Sequence, residues 1–137
     1  RSRVTEKTLL GFDYGSKRIG VAVGQTLTGS ATPIAIVRCV NQKPDWEHIS
    51  RLLRDWNPGA LVVGIPLCMD DRRQSMTEAS ERFARQLQGR FELPVYPVDE
   101  RLSSREAGER LKSAHNIDAV AAQVILETWF SQQQNVE

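Results

Sequence analysis

Three acidic positions in this sequence lie where one predicted element gives way to the next. Asp13 lies in the apolar run Leu9–Tyr14, Glu100 follows the run Pro94–Asp99, and Asp118 falls in the first turn of the last predicted helix. Hard divalent ions such as Mg²⁺ take carboxylate oxygens and keep several waters for substrate phosphates. Two such ions about 4 Å apart can activate a water on one side of a phosphodiester and stabilise the leaving oxygen on the other. If the three element ends meet at one sheet edge, these acids form a metal site for phosphodiester hydrolysis.

Each acid also has a structural interpretation. Aspartate is common in the turns that follow strands, so Asp13 alone fits a turn as well as a ligand. Glu100 or its neighbour Asp99 can pair with Arg101, and the sequence leaves open which of the two acids points inward. An anion such as Asp118 near a helix N-terminus is stabilised by about 0.3 to 1 kcal/mol whatever its function. Only the three acids together favour the metal site.

Basic residues follow each part of this acidic set. The predicted nucleic-acid-binding residues are Lys17, Arg18, Arg72, Arg73, Arg101 and Arg105. Charged side chains that contact phosphates position a nucleic acid without reading its sequence. Each residue taken singly fits a solvated surface charge, whereas their recurrence beside the acids favours a substrate that carries phosphates.

Composition restricts the possible functions. The 137 residues predict a single domain over 1–137, with 1–7 flexible and 112–117 forming a loop before the last helix. The net charge of +1 means that a polyanion must bind to a local patch rather than to bulk charge. Cys39 and Cys68 lack the spacing of a zinc site or of a disulfide framework. Because no apolar run has the length of a membrane span or a signal peptide, we expect a soluble, cytoplasmic protein.

Hydrophobic periodicity predicts an α/β protein. Short β-rich runs separated by glycine-bearing turns predict an antiparallel set of three hairpin strands, and two later runs predict parallel strands. The five predicted strands are Leu9–Tyr14, Ile19–Val23, Ala31–Val40, Ala60–Ile65 and Pro94–Asp99. Helices are expected after Pro44 and Asp45, from Ser75 to Gly89, from Ser103, and from Ile117 onwards. The expected architecture is a five-stranded mixed sheet with helices on both faces.

Four blocks of sequence carry a family resemblance. They are Phe12–Ala22, Val62–Leu67 with Met69 and Asp70, Asp99–Ser104, and Ile117–Ala122. In this order they resemble the YqgF family of pre-16S ribosomal RNA nucleases, also described as Holliday junction resolvase-like. The resemblance implies a ribonuclease H-like fold and a phosphodiesterase that depends on Mg²⁺ or Mn²⁺, with Asp13, Glu100 and Asp118 as metal-binding carboxylates. It also implies a role in maturing the 5′ end of 16S ribosomal RNA.

One segment departs from the family pattern. The family has a longer, basic, glycine-containing segment between the third and last helices, where this chain has only Lys112–Asn116. If the longer segment is absent from the protein, its grip on substrate is in doubt, whereas the carboxylates remain.

Three other functions fit the same residues. A Holliday junction resolvase would use the same metals on four-way DNA junctions. A non-catalytic ribosome-assembly factor would bind RNA, or a ribosome precursor, without cleaving it. An ATPase of the actin-like group also carries glycine turns of this kind, but it closes nucleotide between two lobes and this chain has the length of one. The expected partner is structured RNA or branched DNA, bound by a monomer or a homodimer, with no membrane partner.

Overall fold

The computed structural model describes residues 8–15, 17–41, 43–66, 75–99 and 117–134, with side chains except at Ser75, Ile117, Asp118 and Gln134. Six strands form one mixed sheet: β1 (Thr8–Tyr14), β2 (Arg18–Gln25), β3 (Ser30–Val40), β4 (Lys43–Pro44), β5 (Ala60–Ile65) and β6 (Val95–Asp99). Their order in the sheet is β4-β3-β2-β1-β5-β6. The pairs among β1 to β4 are antiparallel, whereas β5 is parallel to both β1 and β6. The predicted mixed sheet is therefore confirmed.

The predicted number of five strands is wrong, because β4 adds a sixth. After β3 the chain reverses at Asn41, whose φ of 53° lies in the left-handed region that asparagine tolerates. Lys43 then pairs with Val40, and Pro44 pairs with Cys39. A strand of two residues is too short to produce a periodicity that the sequence alone would reveal.

In the described part of the chain three helices cover the sheet: α1 (Trp46–Trp56), α2 (Ser75–Phe91) and α3 (Ile117–Gln134). Helix α1 begins as predicted, because Asp45 Oδ1 accepts a hydrogen bond from the His48 N–H at 3.2 Å. It ends at Asn57, whose left-handed backbone lets its N–H donate to the Leu53 carbonyl. The helix predicted from Ser103 lies outside the described residues. None of the described helices combines the length and the apolarity of a membrane span.

The side chains of β1 alternate between two differently built faces of the sheet. Leu10, Phe12 and Tyr14 belong to a core shared with α1 and α2. Phe83 of α2 lies at its centre, with ring centroids 5.7 Å from Phe12, 5.0 Å from Tyr14 and 5.8 Å from Trp46. We refer to this side as the aromatic face. The opposite side, against which α3 packs, is the α3 face.

Glycines allow α3 to approach the sheet closely. A Cβ at Gly11 would lie 3.0 Å from Leu126 Cβ, and a Cβ at Gly24 would lie 2.7 Å from the Phe130 ring. Because Gly24 pairs with Leu9, these contacts show that α3 runs antiparallel to β1. Its first turn therefore points toward the end of the sheet where β1 finishes.

Helix α3 also closes part of the outer edge of β3. The Gln123 side-chain amide donates to the Ala31 carbonyl at 3.0 Å, and Glu127 accepts from the Ala31 N–H at 3.3 Å. Pro33, two residues further, has no N–H to offer a neighbouring strand. These features limit strand addition at that edge.

Candidate functional site

Asp13 lies near the end of β1 and on the α3 face. This orientation follows from its neighbours, because Phe12 and Tyr14 both pack on the aromatic face. Its carboxylate is half-buried, and its cross-strand partner on β2 is Gly20. On the other side, the residue of β5 that follows the paired Val63 is Gly64. The positions beside Asp13 on both neighbouring strands are therefore glycines, which have no side chain.

The first turn of α3 lies over the same end of the sheet. A cavity of about 230 Å³ between β3 and α3 is lined by Pro33, Ile34, Ala35, Ile36 and Ala119. Ile36 pairs with Gly20, which pairs with Asp13, so the three residues form one row across the sheet. The residue after Asp118 thus borders the row that contains Asp13. The structure brings the backbone of the Asp118 turn to the Asp13 edge, while the Asp118 side chain lies outside its description.

The end of β6 reaches this edge as well. Asp99 pairs with Ile65 at the carboxyl end of β5, which runs parallel to β1. Val98 is buried against α3, and Ile65 packs on the aromatic face, so Asp99 lies on the aromatic face, away from Asp13. Glu100, the residue that the sequence favours as the ligand, lies outside the described residues.

The surroundings of Asp13 fit a hard divalent ion. Asp13 is a half-buried residue at a strand end, and its carboxylate offers the oxygen donors that such ions prefer. Within the described residues no three His, Cys, Asp or Glu side chains form a metal-binding group. Two of the three predicted ligands, Glu100 and Asp118, have side chains outside that part of the chain. The predicted three-acid set therefore stays a prediction.

Only some of the predicted cationic residues lie in the described part of the chain. Lys17 and Arg18 are both exposed, and Arg18 begins β2 beside the Asp13 edge. Arg72, Arg73, Arg101 and Arg105 lie outside the described residues. Sequence reasoning did not select Arg38, which is exposed and pairs with Arg18 across the strands. Only the strand register reveals that neighbour, because the two arginines are far apart in sequence.

A tether from β3 holds the turn behind Asp13. The Cys39 N–H donates to the Lys17 carbonyl at 2.9 Å, and the Cys39 thiol donates to the Gly15 carbonyl at 3.6 Å. Burial raises the pKa of Cys39, so its thiol keeps the proton at neutral pH. A Cβ at Gly15 would lie 2.6 Å from the Arg18 carbonyl oxygen, so the turn requires glycine. Burial, and next the Cys39 thiolate, raise the pKa of Tyr14, while Arg82 acts in the opposite direction.

Comparison with known sequences gives consistent matches. Residues 7–132 match the family model described as "RuvX: Holliday junction resolvase". A Hydrogenovibrio crunogenus protein named "Putative pre-16S rRNA nuclease" is 50% identical over 125 residues, which cover 90% of this chain and 93% of that protein. A Legionella pneumophila protein of the same name is 50% identical over 131 residues, which cover 90% of this chain and 94% of that protein.

Solved structures with a similar fold include Holliday junction resolvases. Thermus thermophilus RuvC in complex with a Holliday junction substrate matches with a TM-score of 0.62 at 16% identity, over 93% of this chain and 96% of that chain. The fowlpox virus resolvase in complex with Holliday junction DNA matches with a TM-score of 0.56 at 14% identity, over 92% and 98%. At these identities the likeness concerns the fold, and it confirms the ribonuclease H-like fold expected from the sequence.

Proposed function

This chain belongs to the RuvX family, and from that premise we propose that it is a divalent-metal-dependent nuclease that matures the 5′ end of pre-16S ribosomal RNA in the cytoplasm. The nuclease activity for which its relatives are named supports a hydrolase that acts on nucleic acid. One observation carries the proposal for this chain. Asp13 and the first turn of α3 share one edge and one face of the sheet, although more than a hundred residues separate them in sequence.

In the proposed site Asp13, Glu100 and Asp118 hold one or two Mg²⁺ or Mn²⁺ ions. Such ions, when bound, polarise a phosphoryl oxygen and lower the pKa of water. The chain's own contribution is placement. Phe12 and Tyr14 are buried on the aromatic face, so the alternation of the strand directs the Asp13 side chain to the α3 face. The N-terminal end of α3 adds a positive helix dipole that favours carboxylates and phosphates at this edge.

The test is cleavage of a 5′-extended 16S precursor RNA and of a four-way DNA junction, assayed side by side with Mn²⁺ and with EDTA. We expect metal-dependent cleavage of the RNA by the wild type and none by Asp13→Asn. Asp55→Asn is the matched control, because Asp55 is an exposed carboxylate at the end of α1, on the aromatic side. It should cleave like the wild type.

A resolvase is the second candidate, because the matching family is described by that activity. Preferential cutting of the DNA junction, lost in Asp13→Asn, would favour it over the processing nuclease. Absence of cleavage on both substrates, with equal RNA binding by the wild type and Asp13→Asn, would refute both and favour the assembly factor.

A further inference from the structure

Two arginines lie side by side on the α3 face. Arg18 of β2 and Arg38 of β3 are cross-strand partners, and both are exposed. Their neighbours Ile19 and Val37 are fully buried on the aromatic face, so the alternation of each strand sends both arginines to the opposite face. This is the face that carries Asp13.

The strand register gives the distance of this pair from the carboxylate. Asp13, Gly20 and Ile36 form one row, and Arg18 and Arg38 lie two residues further toward the end of the sheet where β1 finishes. With strands about 4.8 Å apart and a rise of about 3.3 Å per residue, the Cα atoms of Arg18 and Arg38 lie about 8 and about 12 Å from that of Asp13. At these separations the long arginine side chains can contact the substrate backbone beside the carboxylate.

A third cation continues in the same direction. Lys43 of β4 is exposed and pairs with Val40, which is two residues beyond Arg38 and lies on the same face. The described side chains of α3 include one charged residue, Glu127. It accepts a hydrogen bond from the Ala31 N–H at the other end of the sheet. The two paired arginines and the lysine beyond them thus form a row of exposed positive charge on the α3 face.

We propose that Arg18, Arg38 and Lys43 form a phosphate track that carries the substrate backbone from the carboxylate edge across β2 and β3. The track rests on the proposed nuclease function for its substrate class, which is the sugar-phosphate backbone of a nucleic acid. Arg38 is the central residue, since it links Arg18 beside the site to Lys43 at the margin of the sheet. The track also supplies phosphate contacts that do not depend on the shortened segment Lys112–Asn116.

The test measures binding rather than cleavage. Fluorescence anisotropy with a labelled 5′-extended 16S precursor RNA, in EDTA and from 50 to 200 mM salt, would compare the wild type with Arg38→Gln and Arg38→Lys. We expect Arg38→Gln to bind about 5-fold more weakly. It should also reduce the slope of log K against log salt by about 0.7 to 0.9. Arg38→Lys should restore the slope, because it restores the charge. A labelled four-way DNA junction, measured in parallel, shows which nucleic acid uses the track more strongly.

The control is Arg85→Gln, since Arg85 is an exposed arginine on α2, on the aromatic side of the sheet. It should leave both affinity and slope unchanged. Wild-type affinity and slope in Arg38→Gln would overturn the track, and so would equal losses in Arg38→Gln, Arg38→Lys and Arg85→Gln. The measurement does not depend on cleavage. If the wild type cuts neither substrate but Arg38→Gln still reduces the salt slope, the phosphate track is supported and the nuclease function is refuted.

Discussion

The two faces of the sheet differ in the residues that the second half of β1 presents to them. On the aromatic face, Phe12 and Tyr14 of β1 pack against Phe83, so the space is filled by large rings. On the α3 face, the same strand presents Leu9, Gly11 and Asp13, and both strands beside Asp13 carry a glycine at its level. One strand thus supplies an anchor on one side and a carboxylate on the other.

This difference separates stability from chemistry. Large buried side chains contribute free energy of folding in proportion to the apolar area that they remove from water. Small residues contribute little area, but they let α3 approach so closely that its first turn borders the Asp13 row. Damage to the aromatic face should therefore appear mainly in the free energy of unfolding, whereas damage at the small-residue positions of the α3 face should affect activity more strongly.

The largest expected effect comes from the aromatic face. Phe83→Ala removes a fully buried ring that contacts Phe12, Tyr14 and Trp46. We expect the free energy of unfolding to fall by about 3 to 5 kcal/mol, measured by urea denaturation. Cleavage per folded molecule, at a temperature well below the melting point, should change little. Phe83→Leu is the matched control and should lose less stability. Loss of activity in the folded Phe83→Ala protein would contradict the separation of the two faces.

A smaller loss of stability and a larger loss of function are expected from the α3 face. In Gly11→Ala the new Cβ would lie 3.0 Å from Leu126 Cβ and 3.2 Å from the Ala122 carbonyl oxygen, so α3 must shift. We expect a cost of about 1 to 3 kcal/mol in the free energy of unfolding. Displacing the first turn of α3 should also reduce cleavage by about 10-fold.

The control for this substitution is Gly89→Ala. A Cβ at Gly89 would meet nothing within 4 Å, and the residue lies on an exposed part of α2. Removing the conformational freedom of glycine there should raise stability by about 0.4 to 1 kcal/mol and leave cleavage unchanged. Equal cleavage by Gly11→Ala and Gly89→Ala would show that close packing of α3 does not position the site.

Local sequence signals predicted the elements that depend on local contacts. The apolar run Ala60–Ile65 is a strand with the predicted bounds, because it is buried on both faces. Asp45 caps α1 as expected, since the cap bond spans only three residues. The extra strand β4 and the hydrogen bonds of Gln123 and Glu127 with Ala31 depend on contacts that local periodicity does not encode.

The candidate site depends on which face each side chain takes. A register slip of one residue moves every side chain of a strand to the other face, and the β2–β3 pair has a register shift between Val21 and Ala22. The sequence alone therefore did not place Arg38 beside Arg18. For the same reason the sequence did not decide whether Asp99 or Glu100 points toward the site. The pairing of Asp99 with Ile65 places Asp99 on the aromatic face.

The smallest expected effect is a fall in the free energy of unfolding at alkaline pH. It tests the contact between Cys39 of β3 and the turn that follows Asp13. Burial raises the pKa of both Cys39 and Tyr14 in the folded chain. Both groups therefore add stability in full below their unfolded pKa values, about 8.5 and 10, and lose it as pH rises through the folded values. We expect the free energy of unfolding to fall above about pH 8.5 in urea titrations of the wild type.

Cys39→Ala should flatten the first part of that fall, because it removes one titrating group and the thiolate that raises the pKa of Tyr14. It should also lower cleavage slightly at neutral pH, since the thiol no longer reaches the Gly15 carbonyl while the backbone bond to Lys17 remains. Cys39→Ser keeps a donor of similar shape and should retain more of the neutral-pH activity. A pH profile of stability identical in the wild type and Cys39→Ala would show that Cys39 does not couple the turn to β3 through a buried thiol.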